Sequence, residues 1–294
     1  MSIKIDSNKL EIFQNKSNLN LFGDWIYNLD FYKKQYINNI PFEHVIIPNF
    51  LNEDYANKIF DKFPTNYDKW HKYYNPIEVK YASDDIINMD EDISKLFYIL
   101  CTNEIIILFK KITGIENIEY DPFLHGAGLH SHPRNGRLHM HLDYEKHPYL
   151  EKERRLNIIL YLSKDWKEEW NGATELWDKN MKNCVKKSPV KFNTAIIFKT
   201  NDISWHGLPE KIKCPLNEYR KSLAFYYISD IVSEKNENVI GNNGSGYRTK
   251  ATFVKRPEDQ YYEQMQKLYK IRSYRRIEEN DMNQIWPEWN DELF

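Results

Sequence analysis

Hydrophobic positions in the first part of the chain recur mainly with helical spacing. Asn52 is a plausible N-cap, and the apolar residues that follow it recur on one face, which predicts a helix. Residues 44–47 form a short apolar run ahead of that helix and favour a strand. A second, longer helix is predicted over residues 92–113, where apolar side chains recur three and four positions apart.

From about residue 120 the pattern changes to short apolar or alternating runs that are separated by turn residues. Six runs are predicted strands, and they cover residues 126–132, 137–141, 156–162, 173–177, 195–199 and 223–228. Many short strands at this spacing are typical of a sandwich or jelly roll. Because helices precede the strands, we expect an α+β fold, mainly β with supporting helices, in which the helices pack on a jelly-roll core.

The last sixty residues return to a mixed pattern. Residues 235–248 are polar and rich in Gly and Asn, which predicts a mobile loop. A last strand is predicted over residues 251–254 and a helix over residues 257–279. Trp286 and Trp289 would be costly to leave in water, so we expect the tail to dock on the body of the protein.

The domain organisation follows from these segments, since no repeat or long linker divides the chain. We expect residues 1–294 to form a single catalytic domain. Its parts would be an N-terminal helical support over residues 1–118, a β core over residues 119–255 and a C-terminal helical tail over residues 256–294.

Composition narrows the class of protein. The formal net charge is −2, so no global basic field attracts nucleic acid, and we do not expect a nucleic-acid partner. Three cysteines without a CxxC pair favour reduced thiols and a cytoplasmic location. The N-terminus has no signal-peptide pattern, and the most apolar stretch, residues 96–112, is too polar for a membrane span.

A metal site is indicated by two residues of one predicted strand and one residue that follows another. His141 and Asp143 are two positions apart, so on a strand their side chains point to the same face. His206 follows the apolar run of residues 195–199, as a ligand at the end of a later strand would. Two imidazoles and one carboxylate make the facial triad, which leaves positions on iron(II) open for a co-substrate and oxygen.

A carboxylate receptor is indicated on the predicted strands over residues 156–162 and 223–228, the second of which Arg220, Lys221 and Ser222 open. Arg220 and Ser222 share a face, and a planar guanidinium beside a hydroxyl suits a carboxylate. The phenol of Tyr161 can add a second hydrogen bond. Asn157 shares the face of Tyr161, so we expect it to line the same pocket.

Five segments resemble a known family. They are HLD at 141–143, RRLNIILYLSKDW at 154–166, WNGATELW at 170–177, SWHGLP at 204–209 and RKSLAFYY at 220–227. Over about residues 40–230 they are similar to the prolyl 4-hydroxylase-like group of the iron(II)/2-oxoglutarate dioxygenases. The resemblance implies a double-stranded β-helix, the metal ligands named above, and a pocket in which Arg220 and Ser222 hold the distal carboxylate of 2-oxoglutarate with help from Tyr161.

The activity that this resemblance implies is hydroxylation of an unactivated C–H bond. It uses iron(II), 2-oxoglutarate and O2, forms succinate, and can be supported by ascorbate. Animal-type collagen hydroxylases have Lys at the position of Arg220, so the arginine weakens any expectation of collagen as substrate. We expect a peptidyl, foremost prolyl, substrate. A small molecule such as a free amino acid, a sugar or a natural-product intermediate is the alternative.

Other readings of the polar residues stay open. His130, His132 and His139 allow an all-histidine site for zinc or copper. His132 is either a pocket residue or a solvated turn histidine, and His139 a surface residue or one that lies behind the ligands. Arg154 and Arg155 are expected at a solvated strand edge, with an anionic substrate as the alternative. A jelly roll that only binds a ligand is a further alternative, and the sequence does not indicate an oligomeric state.

Overall fold

Five helices pack against one face of a β-sheet in the computed structural model, which describes residues 3–234 and 246–291. These helices are α1 (Ser7–Gln14), α2 (Leu29–Asn38), α3 (Glu53–Lys62), α4 (Glu91–Leu100) and α5 (Asn103–Thr113). The Asn52 side chain accepts a hydrogen bond from the amide of Tyr55, so the predicted N-cap of α3 is confirmed.

Thirteen strands form one sheet within the described residues, and all their pairings are antiparallel. The strands are β1 (His44–Ile47), β2 (His71–Tyr74), β3 (Glu78–Ser83), β4 (Glu119–Tyr120), β5 (Gly128–His132), β6 (Arg137–Leu142), β7 (Lys152–Tyr161), β8 (Thr174–Trp177), β9 (Cys184–Ser188), β10 (Thr194–Lys199), β11 (His206–Leu208), β12 (Arg220–Asp230) and β13 (Thr252–Phe253). All six strands predicted in the core are present, and so are the predicted strands at residues 44–47 and near residue 252.

The sheet curls into a nearly closed, barrel-like sandwich. Its strand order is β1-β10-β7-β12-β5-β3-β6-β11-β8-β9, and the pairing of β3 with both β5 and β6 joins its two halves. The outer faces of β7, β10 and β12 pack on the helices in the main hydrophobic core. Their inner faces line the cavity of the sandwich because side chains alternate along each strand. The expected jelly-roll core with supporting helices is confirmed.

The prediction of one continuous helix over residues 92–113 is wrong. Thr102 has extended backbone angles and begins α5 as its N-cap residue, so the segment divides into α4 and α5. The hydroxyl of Thr102 donates to the carbonyl of Ile99, which gives this polar residue a partner at the break. Apolar periodicity continues across the break because both helices bury the same side, and this hid the break from the sequence pattern.

The helix predicted in the C-terminal tail is shorter in the structure. The segment 257–279 contains one helix, α6 (Glu263–Arg272), and α7 (Glu279–Ile285) follows it. Arg256 and Asp259 close a hydrogen-bonded turn ahead of α6, which delays the start of the helix. Trp286 is only 3 % exposed, so the expected docking of the tail is confirmed.

Two remaining expectations concern a loop and the membrane. Of the predicted mobile loop, residues 235–245 lie outside the described residues, whereas Tyr247 and Arg248 are buried. Across residues 3–234 and 246–291, no helix combines the length and the apolar character that a membrane crossing requires.

Candidate active site

Three side chains converge at the junction of β6 and β11. His141 lies near the end of β6, Asp143 follows that strand directly, and His206 opens β11 opposite His141. The imidazole Nε2 atoms of His141 and His206 lie 3.8 Å and 3.7 Å from the two carboxylate oxygens of Asp143. One ligand atom from each residue lies within 4.8 Å of the others, a spacing that suits a single metal ion. All three residues are buried.

The tautomers of the two histidines follow from their hydrogen bonds. Nδ1 of His141 lies 2.9 Å from the carbonyl of His139, and Nδ1 of His206 lies 2.9 Å from the carbonyl of Ser204. Because a carbonyl only accepts, each Nδ1 carries the proton and each Nε2 keeps a free lone pair. Burial lowers the pKa of His141 to about 3, so this imidazole is neutral and able to bind a metal.

Asp143 supplies the negative charge of the site. Burial raises the pKa of its carboxyl, but the charge of Arg154, together with a hydrogen bond from Asn157, holds it at about 2. The Asn157 side-chain amide donates to Oδ2 at 3.0 Å. Two neutral imidazoles beside an ionised carboxylate are a donor set that fits iron(II). Asn157, which was expected to line the pocket, bonds the candidate metal ligand Asp143 directly.

Arg154 lies inside the site, and the expectation of a solvated strand edge is wrong. It is 3 % exposed, and its Nη1 lies 3.2 Å from Oδ1 of Asp143. The rings of Tyr144 and Tyr226 enclose the guanidinium, with centroids 3.5 Å and 3.4 Å from its central carbon. The pairing of β7 with β12 shifts register at Tyr227, and this bulge turns Arg154 toward the cavity.

A second group of side chains lies on the inner faces of β7, β8 and β12. Arg220 is 1 % exposed, and its Nε donates to the carbonyl of Gly172 at 2.7 Å. Its Nη2 donates to the Thr174 hydroxyl at 3.2 Å, and its Nη1 lies 3.4 Å from the hydroxyl of Ser222. The phenol of Tyr161 donates to the same threonine oxygen at 2.8 Å. The three residues expected here therefore share one buried hydrogen-bonded group.

The guanidinium of Arg220 has no carboxylate partner within 4.0 Å among the described residues. Burial lowers its pKa, and only the Tyr161 phenol opposes that effect. A buried cation without a counter-ion is costly unless an anion binds beside it. The arrangement is therefore chemically suited to a carboxylate.

Gly172 and Thr174 were not singled out from the sequence. Gly172 has φ +87°, and a Cβ atom there would lie 3.2 Å from Cδ of Arg220. Both lie in the segment 170–177 that resembles the family, but its pattern gave no indication of a bond to a residue so far along the chain.

His132 lies opposite Arg220 in the pairing of β5 with β12. It is 2 % exposed, so the alternative of a solvated turn histidine is wrong. No side chain of the described structure bonds either of its ring nitrogens. Burial, followed by the charge of Arg220, holds the pKa of His132 well below its ordinary range, against a hydrogen bond with the Arg220 backbone. A buried neutral imidazole that no other side chain bonds is equipped to bond a ligand.

The other histidines do not gather into a metal site. His139 bonds through Nδ1 to the phenol of Tyr269 at 2.7 Å, on the C-terminal tail. Within residues 3–234 and 246–291, the triad of His141, Asp143 and His206 is the one group of three or more His, Cys, Asp or Glu side chains close enough to share an ion. The all-histidine alternative is therefore not supported.

A jelly roll with this triad is typical of the iron(II)- and 2-oxoglutarate-dependent dioxygenases. Residues 127–228, about a third of the chain, match the model of the 2OG-Fe(II) oxygenase superfamily. This match agrees with the resemblance found in the sequence. Members of that superfamily use iron(II) as cofactor, with 2-oxoglutarate and O2 as co-substrates. No curated protein sequence matches the chain.

Two solved prolyl hydroxylases have a similar fold. A prolyl hydroxylase from Trichoplax adhaerens, in complex with a peptide fragment of the hypoxia inducible factor oxygen degradation domain, is 15 % identical with a TM-score of 0.51. The match covers 72 % of this chain and 96 % of that one. A Pseudomonas putida prolyl-4-hydroxylase is 12 % identical with a TM-score of 0.50, over 67 % of this chain and 97 % of that one. At these identities the similarity is one of fold.

Proposed function

We propose that this protein is an iron(II)- and 2-oxoglutarate-dependent oxygenase that hydroxylates an unactivated C–H bond. His141, Asp143 and His206 would hold the metal, and residues 1–294 would act as a single catalytic domain. The balanced reaction consumes the substrate, O2 and 2-oxoglutarate, and it yields the hydroxylated product, succinate and CO2. Bound iron(II) supplies the activation of O2 that this chemistry needs.

The observation that carries the proposal is the unpaired guanidinium of Arg220 on the inner face that also carries the triad. A ligand carboxylate beside it would accept from the guanidinium and from the hydroxyls of Ser222 and Thr174. Tyr161 would orient Thr174, since its phenol donates to the threonine oxygen at 2.8 Å. His132 would donate a further hydrogen bond from one of its ring nitrogens.

The remaining residues of the cavity prepare the metal site. Arg154 and Asn157 fix the two oxygens of the Asp143 carboxylate, so the ligand needs little reorganisation when metal binds. Burial of the triad keeps water away from the reacting groups.

For the substrate we propose a peptidyl residue, with proline first. The support is the fold similarity to the Trichoplax adhaerens prolyl hydroxylase, which has been solved with a peptide fragment. A purely ligand-binding jelly roll is disfavoured because the triad and the carboxylate receptor are both complete.

The test is succinate release from 2-oxoglutarate by the purified protein with iron(II), with and without ascorbate. We expect turnover in the wild type and none in Asp143→Ala, because removing the carboxylate abolishes the facial triad. Asp68→Asn is the matched control, since Asp68 is exposed and lies outside the site; it should keep wild-type turnover. Turnover retained in Asp143→Ala, or a wild type that neither binds nor consumes 2-oxoglutarate, would overturn the proposal.

A further inference from the structure

Four basic side chains lie near one another beside β3, and two of them pair with one carboxylate. They are Lys80, Lys250, Arg272 and Arg276, named here the basic cluster. Nε of Arg272 donates to Oε1 of Glu78 at 2.7 Å, and Nζ of Lys80 lies 3.7 Å from the other oxygen, Oε2. Burial lowers the pKa of Lys250, and the charges of Arg272 and Arg276 lower it further, so these cations lie close together. Glu78 is the one carboxylate paired with the cluster in the described part of the chain.

The aromatic ring of Tyr73 joins two members of the basic cluster. The Lys80 ammonium lies 4.8 Å from the ring centroid, and the central guanidinium carbon of Arg276 lies 5.4 Å from it. Arg276 is exposed, whereas Lys80 is only 9 % exposed. The cluster therefore runs from the protein surface into the interior.

Two structural features connect the buried end of the basic cluster with the candidate active site. The Phe253 ring stacks on His141 with a centroid distance of 5.1 Å, and the Arg272 guanidinium lies 5.2 Å from the same ring. On β3, Lys80 and Ala82 are two positions apart, so their side chains point to the same face. Ala82 lies opposite His130 on β5, and His130 lies opposite Ser222 on β12. Lys80 thus lies on the face that carries the carboxylate receptor.

The buried ammonium of Lys80 has few favourable polar contacts. No hydrogen bond of its ammonium is formed with any described residue, and 3.7 Å to Glu78 is too long for one. Burial lowers the pKa of Lys80, and the charges of Glu78 and Asp143 oppose this. The Glu78 carboxylate already accepts from Arg272, however, and Asp143 is a candidate metal ligand. A largely buried ammonium without a hydrogen bond of its own costs free energy, and an anionic ligand would recover it.

We propose that the substrate of this oxygenase carries an oxyanion, a carboxylate or a phosphate, which binds between Lys80 and Arg276 beside Tyr73. This inference rests on the proposed function and deepens it by naming the substrate class. A neutral prolyl peptide would leave the Lys80 ammonium without a hydrogen bond, whereas an acidic group next to the hydroxylated residue would accept one from it. Anchoring of the C-terminal tail explains Arg272, which bonds Glu78, but neither Lys80 nor Arg276, which form no such bond with the described residues.

The first step of the test loads the wild type with manganese(II) as an inert stand-in for iron(II) and titrates it calorimetrically with 2-oxoglutarate. Failure to bind 2-oxoglutarate would contradict the proposed function, and the oxyanion titration would then be run on the metal-loaded protein alone. The two proposals therefore fail separately.

The second step titrates the loaded protein with inorganic phosphate in one arm and malonate in the other. We expect one further site, and the tighter of the two probes identifies the oxyanion. Lys80→Gln and Arg276→Gln should each raise the dissociation constant at least about tenfold, because each removes a charge-assisted hydrogen bond. Lys72→Gln, on the exposed opposite face of β2, should leave it unchanged.

Two outcomes overturn the inference: neither probe binds the loaded wild type, or the charge-removing variants bind as tightly as Lys72→Gln. Arg276 is exposed, so Arg276→Gln keeps the test valid if Lys80→Gln does not fold. Lys80→Arg, which preserves the charge, should restore most of the binding that Lys80→Gln loses.

Discussion

The guanidinium of Arg154 holds the carboxylate of Asp143, with Nη1 3.2 Å from Oδ1 and both side chains buried. The rings of Tyr144 and Tyr226 restrict the guanidinium to one plane, and its Nη2 donates to the carbonyl of His125 at 2.8 Å. The orientation of a candidate metal ligand therefore depends on a cation that itself cannot bind metal.

Replacing this cation should weaken metal binding. Arg154→Gln removes the charge that orients Asp143, and we expect metal affinity to fall about 10- to 100-fold, the usual cost of losing such a supporting contact. Calorimetric titration with manganese(II) measures the affinity. Arg155→Gln is the matched control, because Arg155 pairs with Glu153 instead. Equal affinities in the two variants would contradict the assigned role.

A methyl group at Gly172 should disturb the carboxylate receptor. In Gly172→Ala the new Cβ would lie 3.2 Å from Cδ of Arg220, so the guanidinium must move. We expect the dissociation constant for 2-oxoglutarate to rise at least about tenfold, as for the loss of one hydrogen bond to a charged group. The measurement is calorimetric titration of the metal-loaded protein.

Gly114→Ala controls for backbone strain. Gly114 also has a positive φ, +71°, but nothing lies within 4 Å of its Cβ position. Both alanine variants should lose about 1–2 kcal/mol of unfolding free energy from the left-handed conformation. Only Gly172→Ala should lose 2-oxoglutarate affinity, and a similar loss in Gly114→Ala would show that general destabilisation is the cause.

His132 should weaken the ligand-free protein while it strengthens ligand binding. His132→Leu removes two buried nitrogens that no side chain of the described structure bonds, so we expect the unfolding free energy without ligand to rise by about 1–3 kcal/mol. The stabilisation that saturating 2-oxoglutarate adds should shrink in the same variant. Urea unfolding with and without 2-oxoglutarate measures both effects. A variant that is destabilised without ligand and stabilised normally by 2-oxoglutarate would assign His132 to packing alone.

The stability of the fold should decline on the acid side through its buried histidines. Burial and the charge of Lys186 lower the pKa of His44 from its ordinary 6.5, against the hydrogen bond of its Nδ1 with the carbonyl of Phe42. The folded protein therefore binds fewer protons at this site than the unfolded chain. Its contribution to stability is complete above pH 6.5 and is lost as the pH falls below that value.

His44→Asn should reduce this acid sensitivity. The variant keeps a side-chain donor but cannot titrate, so its unfolding free energy should fall less between pH 7 and pH 5. The difference in slope is at most about 1.4 kcal/mol per pH unit, the limit for one proton. Urea unfolding at several pH values measures it, and identical slopes for the two proteins would contradict the assignment.

Local spacing predicted the parts of the site that depend on one strand or on strand alternation. His141 and Asp143 are two positions apart, and Arg220 and Ser222 likewise, so each pair follows from the period of a strand. Arg154 could not be placed in this way, because strict alternation puts Arg155 on the face of Asn157. The register shift opposite Tyr227 reverses that order, and a bulge leaves no mark in the pattern of apolar residues.

Contacts between distant segments also could not be predicted from the sequence. Lys80 and Arg272 meet only because α6 docks beside β3, and neither residue stands out in its own segment. The bond from Arg220 to Gly172 has the same origin, since it joins the start of β12 to the turn before β8. Such contacts are set by tertiary packing, which periodicity does not encode.

The docked C-terminal tail forms part of the wall around the metal ligands, and this part can vary while the ligands stay the same. Phe253 stacks on His141, Tyr269 bonds His139, and Arg272 bonds Glu78, so the tail builds one wall beside the metal ligands. Chimeras that exchange only the segment after β12 between relatives would replace this wall and keep the ligands of the β core. Substrate contacts that this wall makes can therefore change while the metal ligands of the β core stay the same.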